Sequence, residues 1–143
     1  MSKKIVMKIK IDEGAYMPVR AHDTDAGMDL MTPIPFVVEP HSSVTVDTGV
    51  HIELPPNTVG MLKSKSGLNV KHGITSEGVI DVGYTGSIVA KLYNHGDEPV
   101  IFVAGNKITQ LVIMPIIIPD KLEVVESLED TERGDNGFGS SGK

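Results

Sequence analysis

Apolar residues in this chain return at every second position and almost never at every third or fourth. Near the start, Ile5, Met7, Ile9 and Ile11 fall on one side of an extended backbone, while Val6, Lys8 and Lys10 fall on the other. That period buries one face of a pleated strand and leaves the other to water. Further short runs at 36–38, 43–47, 50–54, 59–63, 87–93, 100–103, 108–114 and 122–125 are separated by Pro, Gly, Asn and Asp, the residues that supply turns. No window sustains a helical repeat for a dozen residues. Residues 68–74 have room for one turn of helix at most, because Gly67 and Gly73 bracket them. Regular short strands with turn signals between them predict an all-β chain, folded as a sandwich or barrel. With three Tyr, three Phe and no Trp, its core has to be aliphatic.

Charge and cysteine content narrow the function. The chain has no Cys, which excludes thiol nucleophiles, Cys-ligated zinc and disulfide staples. A net charge of -6 disfavours a sequence-independent grip on nucleic acid, since neutralising phosphates needs a basic face. The longest nearly uncharged apolar stretch, residues 108–119, is shorter than the ~20 residues that span a bilayer. The first residues have no continuous apolar run of the secretory kind, so the expected location is the cytoplasm. The histidines at 22, 41, 51, 72 and 95 show no zinc-site spacing, and neither a nucleophile elbow nor a P-loop occurs.

Five segments put glycine and polar residues where a β protein would otherwise need only plain turns. In the first, Asp25-Ala-Gly-Met-Asp29-Leu30, a carboxylate sits between two apolar residues at a strand start; read locally, it is either a surface acid or a ligand. The second is Lys63-Ser-Lys65-Ser66-Gly67-Leu68. Backbone amides at Ser66 and Gly67, with a lysine nearby, can cradle an anion, although such a stretch is also an ordinary solvated turn. In the third, Gly78-Val79-Ile80-Asp81-Val-Gly-Tyr84-Thr-Gly86, an apolar pair delivers a carboxylate and a flat ring to the edge of one cavity. Its plainer reading is a turn whose Asp caps its own backbone. The fourth, Gly105-Asn-Lys-Ile-Thr-Gln110-Leu111, places an amide in an apolar strand, where it needs hydrogen-bond partners if buried. The fifth is the Gly-rich end, Arg133-Gly-Asp-Asn-Gly-Phe138-Gly139-Ser140-Ser-Gly-Lys143, whose composition is that of a mobile tail.

In this order and spacing the five segments resemble the five motifs of the trimeric deoxyuridine triphosphatase (dUTPase) family, nearly end to end. The most specific pieces are AGMDL at 26–30, SGLNVKHGI at 66–74, GVIDVGYTG at 78–86 and RGDNGFGSSG at 133–142. The resemblance implies a distorted β jelly roll over residues 1–126. It also implies a flexible arm over 127–143 that closes on a neighbour's site in a homotrimer. The implied reaction is Mg2+-assisted hydrolysis of dUTP to dUMP and pyrophosphate, which keeps uracil out of DNA and supplies dUMP. Asp81 would activate the water that attacks the α-phosphorus, in keeping with the chemistry of an ionised carboxylate. Tyr84 would lie under the deoxyribose and exclude a 2′-hydroxyl, beside Val79 and Ile80. Asp29 would hold waters of the Mg2+ shell. Lys65, Ser66 and Gly67 would bind the phosphates, and Gln110 would fix the phosphates or the attacking water. From the arm, Phe138 would stack on uracil and Arg133 would reach the γ-phosphate, with Gly139 and Ser140 beside them.

The chain departs from the family pattern at three places. Lys65 stands where Arg usually precedes Ser-Gly, keeping the charge without the bidentate fork. Gly83 replaces the second acid of the third motif. Residues 73–77, the region expected to contact uracil, are fewer than in many relatives. Two other functions fit the same fold. A dCTP deaminase would need a glutamate where Lys91 precedes Leu92-Tyr93-Asn94, and an ammonium cannot act as that base. A regulatory protein that binds a protein partner through this fold is compatible with the sequence, though complete motifs argue for retained catalysis.

Overall fold

The computed structural model describes residues 4–139. Ten strands and one short helix follow one another as β1 (Lys8–Ile11), β2 (Gly27–Met31), β3 (Phe36–Val38), β4 (Ser43–Asp47), β5 (Val50–Glu53), β6 (Thr58–Lys63), α1 (Ser66–His72), β7 (Ile74–Ile80), β8 (Val89–Asn94), β9 (Val100–Phe102) and β10 (Lys107–Pro115). Six strands form one antiparallel sheet in the order β2-β10-β6-β7-β8-β4, and β1-β5 and β3-β9 form antiparallel pairs beside it. The all-β reading holds. No helix among the described residues is long and apolar enough to cross a membrane.

The core is aliphatic, as the scarcity of aromatics requires. Leu30, Val38, Val46, Ile52, Leu62, Ile80, Leu92 and Leu111 bring one apolar face from each of eight strands into a single cluster. Phe102 is the one buried aromatic among the described residues, stacked on Phe36 with ring centroids 4.8 Å apart. Every second residue of β8 is buried, the strict alternation that registers a strand with one wet face.

Three local expectations need correction. The segment after Lys65 is a two-turn helix that takes in Gly67, rather than a single turn after it. It stops at Gly73, whose left-handed φ of 68° lets its N–H reach the Asn69 carbonyl. Residues 74–77, in the region expected to contact uracil and outside the predicted strands, are the start of β7. Their alternation is hidden because an inward position carries Ser76, whose hydroxyl lies 2.7 Å from that of Thr109 in the core. Residues 122–125 form no strand, because no other segment of the described chain lies beside them to complete a ladder. Every described residue from 114 onward is exposed, including Ile117, Leu122, Val124 and Leu128.

Candidate active site

Antiparallel register brings three of the motifs onto one rung. Gln110 of β10 pairs with Asp29 of β2 on one side and with Lys63 of β6 on the other. Directly paired residues point to the same face of a sheet, and here the opposite face carries Met28, Leu111 and Leu62 toward the core. Asp29 is buried, unlike a surface acid, and both its oxygens are engaged: Lys65 donates to Oδ1, and Lys107 Nζ lies 3.2 Å from Oδ2. Burial alone would raise the pKa of this carboxyl. The hydrogen bonds and charges of the two ammonium groups outweigh that effect and hold it below its ordinary value of 3.8. Gln110 Nε2 donates to the Ser64 carbonyl at 3.0 Å. Its amide lies over Gly27, where any Cβ would collide with Oε1.

Lys65 is the N-cap of α1, so Ser66 and Gly67 form the first turn, whose N–H groups have no side-chain cap. Among the described residues, nothing beyond its chain neighbours and its own helix backbone comes within 4 Å of the position a Gly67 Cβ would take. The glycine therefore answers to no internal packing, whereas a phosphate drawn up to those amides would need it.

The third motif forms a hairpin end after β7. Asp81, Tyr84, Val79, Ile80 and Val89 line a cavity of about 250 Å³ floored by Leu62 and Ile88. The Tyr84 N–H closes the turn on the Asp81 carbonyl at 3.0 Å, and the Tyr84 hydroxyl donates to the Ser87 carbonyl at 2.6 Å. A Cβ at Gly86 would stand 2.7 Å from the Tyr84 ring, so any larger residue there would displace the ring from its present seat. Gly83, the departure from the family pattern, faces open space.

The hairpin and the cationic rung occupy opposite ends of the same strands. Ile80 pairs with Gly60 and Glu77 with Lys63, so Asp81 falls level with Val59 near the start of β6, while Lys65 lies beyond its other end. Six residues at ~3.3 Å each separate them by ~20 Å. Within one chain, then, the structure brings Asp29, Lys65, Ser66, Gly67 and Gln110 together, and separately Val79, Ile80, Asp81 and Tyr84. The described part of the arm, residues 127–139, is exposed throughout and joins neither group. Arg133 Nε donates to the Asn136 carbonyl at 2.8 Å, and Phe138 is fully exposed. Gly139 is exposed too, and Ser140 lies outside the described residues. Lys91, at the deaminase position, is exposed with its ammonium 5.2 Å from the Tyr93 ring centroid.

Reading the residues alone missed Lys107 as a partner of Asp29 and Gly27 as the seat of Gln110. Both lie inside quoted motifs, but only the β2–β10 register reveals their partners. The donor set also bears on Mg2+. No group of three or more His, Cys, Asp or Glu side chains gathers among the described residues, and Asp29 already meets two ammonium groups. A divalent ion held by so few carboxylates would have to bring most of its ligands as waters or phosphate oxygens, as Mg2+ on a nucleotide does.

Fold and site together define a class: an antiparallel jelly-roll-like protein with a cationic rung beside the uncapped first turn of a short helix and a separate carboxylate-and-tyrosine cavity. The family model described as dUTPase matches residues 13–142. The chain is 45% identical over 136 residues to the deoxyuridine 5′-triphosphate nucleotidohydrolase of Clostridium kluyveri, covering 93% of this chain and 94% of that protein. With the protein of the same description from Crocosphaera subtropica it shares 44% over 137 residues, 94% and 96% of the two chains. Among solved structures, the dUTPase of Staphylococcus bacteriophage 80alpha with dUPNHPP superposes with a TM-score of 0.91 at 32% identity, over 98% of this chain and 100% of that one. A point mutant of the dUTPase from phage phi11 of S. aureus, described with a coordinated structural Mg(II) ion, gives 0.80 at 29%, over 88% and 100%. The chain belongs to the dUTPase family.

Proposed function

We propose that this protein hydrolyses dUTP to dUMP and pyrophosphate in the cytoplasm, keeping uracil out of DNA and supplying dUMP, at sites assembled between the copies of a homotrimer. The observation that carries this reading is the ~20 Å along the strands between Asp81 and Lys65. One nucleotide cannot be held by the rung and attacked from the hairpin of the same chain, so a second copy has to supply one half. The exposed Ile117, Leu122, Val124 and Leu128 support an assembly, because apolar surface on that scale is normally covered by another chain.

Within such a site Val79 lies beside the nucleotide, Ile80 contributes through its backbone because its side chain belongs to the core, and the Tyr84 ring packs under the deoxyribose and fills the space of a 2′-hydroxyl. Lys65, Gln110 and the open amides of Ser66 and Gly67 bind the phosphates. Asp81 accepts a proton from the water that attacks the α-phosphorus. The arm, residues 127–143, closes from a neighbouring copy with Phe138 on uracil, Arg133 on the γ-phosphate, and Gly139 and Ser140 alongside. Asp29 would hold, through water, a Mg2+ carried on the triphosphate, and that ion would neutralise phosphate charge and polarise the phosphoryl oxygens.

The test is turnover of dUTP, UTP, dCTP and dTTP with Mg2+, followed by pyrophosphate release. Only dUTP is expected to react, and without a deaminated product. Chains carrying Asp81→Asn, mixed with chains carrying Ser66→Ala and Lys65→Met, should regain activity that neither shows alone. Failure of the mixture to recover would refute the shared site.

A further inference from the structure

The hairpin that carries Asp81 and Tyr84 is fastened to the β4–β5 turn by a series of bonds. At its base the Ile88 N–H reaches the Val50 carbonyl at 2.8 Å, and the Thr48 hydroxyl donates to the Ile88 carbonyl at 2.6 Å. Next, the Ser87 hydroxyl donates to Asp47. The outermost bond, nearest Tyr84, comes from His51. Its Nδ1 lies 2.9 Å from the Thr85 carbonyl oxygen, and its Nε2 lies 3.0 Å from Oδ2 of Asp12.

A carbonyl oxygen and a carboxylate both accept, so both ring nitrogens have to donate, and only the doubly protonated imidazolium donates from both. We propose that His51, charged and held by Asp12, is a positioning residue that fixes the nucleotide hairpin through Thr85 and releases it when the ring loses its proton. The proposal rests on the hairpin's role in binding nucleotide given above.

The charges around the ring agree with this state. Asp12 is the direct partner, with Asp47 on β4 a second acid nearby. Lys10, opposite His51 in the β1–β5 register, opposes the charge, and Lys8 and Glu53 on the same groove pair with each other at 3.7 Å. From the hairpin the ring meets the Thr85 carbonyl, since the Tyr84 hydroxyl is already bound to Ser87. The hydrogen bonds that His51 donates to Asp12 and Thr85 raise its pKa above its ordinary value of 6.5, against the smaller opposing effects of burial and Lys10. A group with a raised pKa contributes fully below its unfolded value, and the contribution is lost as pH rises through the folded value. The grip on Thr85 therefore weakens on the alkaline side.

The decisive experiment follows the His51 ring and the Thr85 and Gly86 amides by NMR between pH 5.5 and 9, alongside kcat/KM for dUTP in the unaltered protein, His51→Gln and Asp12→Asn. The ring should titrate above the ordinary histidine value, and the two amides should shift with the same midpoint. The unaltered protein should lose on the order of tenfold in kcat/KM across that midpoint. His51→Gln should lack this loss, and Asp12→Asn should move it to lower pH. Ring titration at or below the ordinary value, hairpin amides that ignore it, or superimposable profiles for the unaltered protein and His51→Gln would each overturn the proposal. If the protein turned over no dUTP at all, the functional reading would fall, and the NMR titration would still decide the role of His51.

Discussion

Lys107 Nζ lies 3.2 Å from Oδ2 of Asp29 while Lys65 holds Oδ1, so one buried carboxylate ties the start of β10 to the start of α1. This triad places a lysine at the head of the helix whose amides face the proposed phosphates. Replacing Asp29 with Asn keeps the shape and removes the charge that holds both ammonium groups. Stability should fall by ~1–3 kcal/mol, read by urea denaturation, and KM for dUTP should rise as Lys65 loses its fixed position.

The same pair predicts acid behaviour. The pKa of Asp29 is lowered on folding, so its contribution to stability is present above the unfolded value of 3.8 and is lost as pH falls through the folded one. Melting temperatures followed from pH 6 down to pH 2 should drop more steeply below about pH 4 in the unaltered protein than in Asp29→Asn.

Asp81→Asn retains a side chain of the same size at the cavity edge and removes the proton acceptor. The expected loss in kcat is ~10²–10⁴, with binding of a non-hydrolysable dUTP analogue preserved in calorimetry. A variant with the original kcat would reassign the base.

Three glycines should respond differently to a single added methyl group. Gly27→Ala pushes against the Gln110 amide and Gly86→Ala against the Tyr84 ring, so each should lower kcat/KM on the order of tenfold or more. Gly83→Ala adds a methyl to open space and should leave kinetics within about twofold.

The arm separates a passive tail from a closing lid. Truncation after Thr131 should preserve the fold by circular dichroism and strongly reduce kcat/KM. Phe138→Ala should cost ~1–3 kcal/mol of nucleotide binding, the range for base stacking on an aromatic ring. Phe138→Trp should recover most of that loss, with fluorescence quenched by nucleotide.

Period-two alternation and turn residues determined the all-β class, and strands such as Ser43–Asp47 stand where the alternation places them. The motifs likewise marked Asp29, Lys65, Gln110 and Asp81 as residues with more to do than fill a turn. Local pattern could not expose β7, because its inward Ser76 is satisfied by Thr109, thirty-three residues away. Nor could it show that 122–125, apolar enough for a strand, has no partner within the described chain. Tertiary structure alone decided that Asp29, Gln110 and Lys63 share a rung, that Lys107 completes the Asp29 ion pair, and that Asp81 stands at the far end of the same sheet. The physical reason is the antiparallel ladder. A strand's sequence sets which of its side chains share a face, but only hydrogen-bonded register sets which residues of distant segments stand side by side.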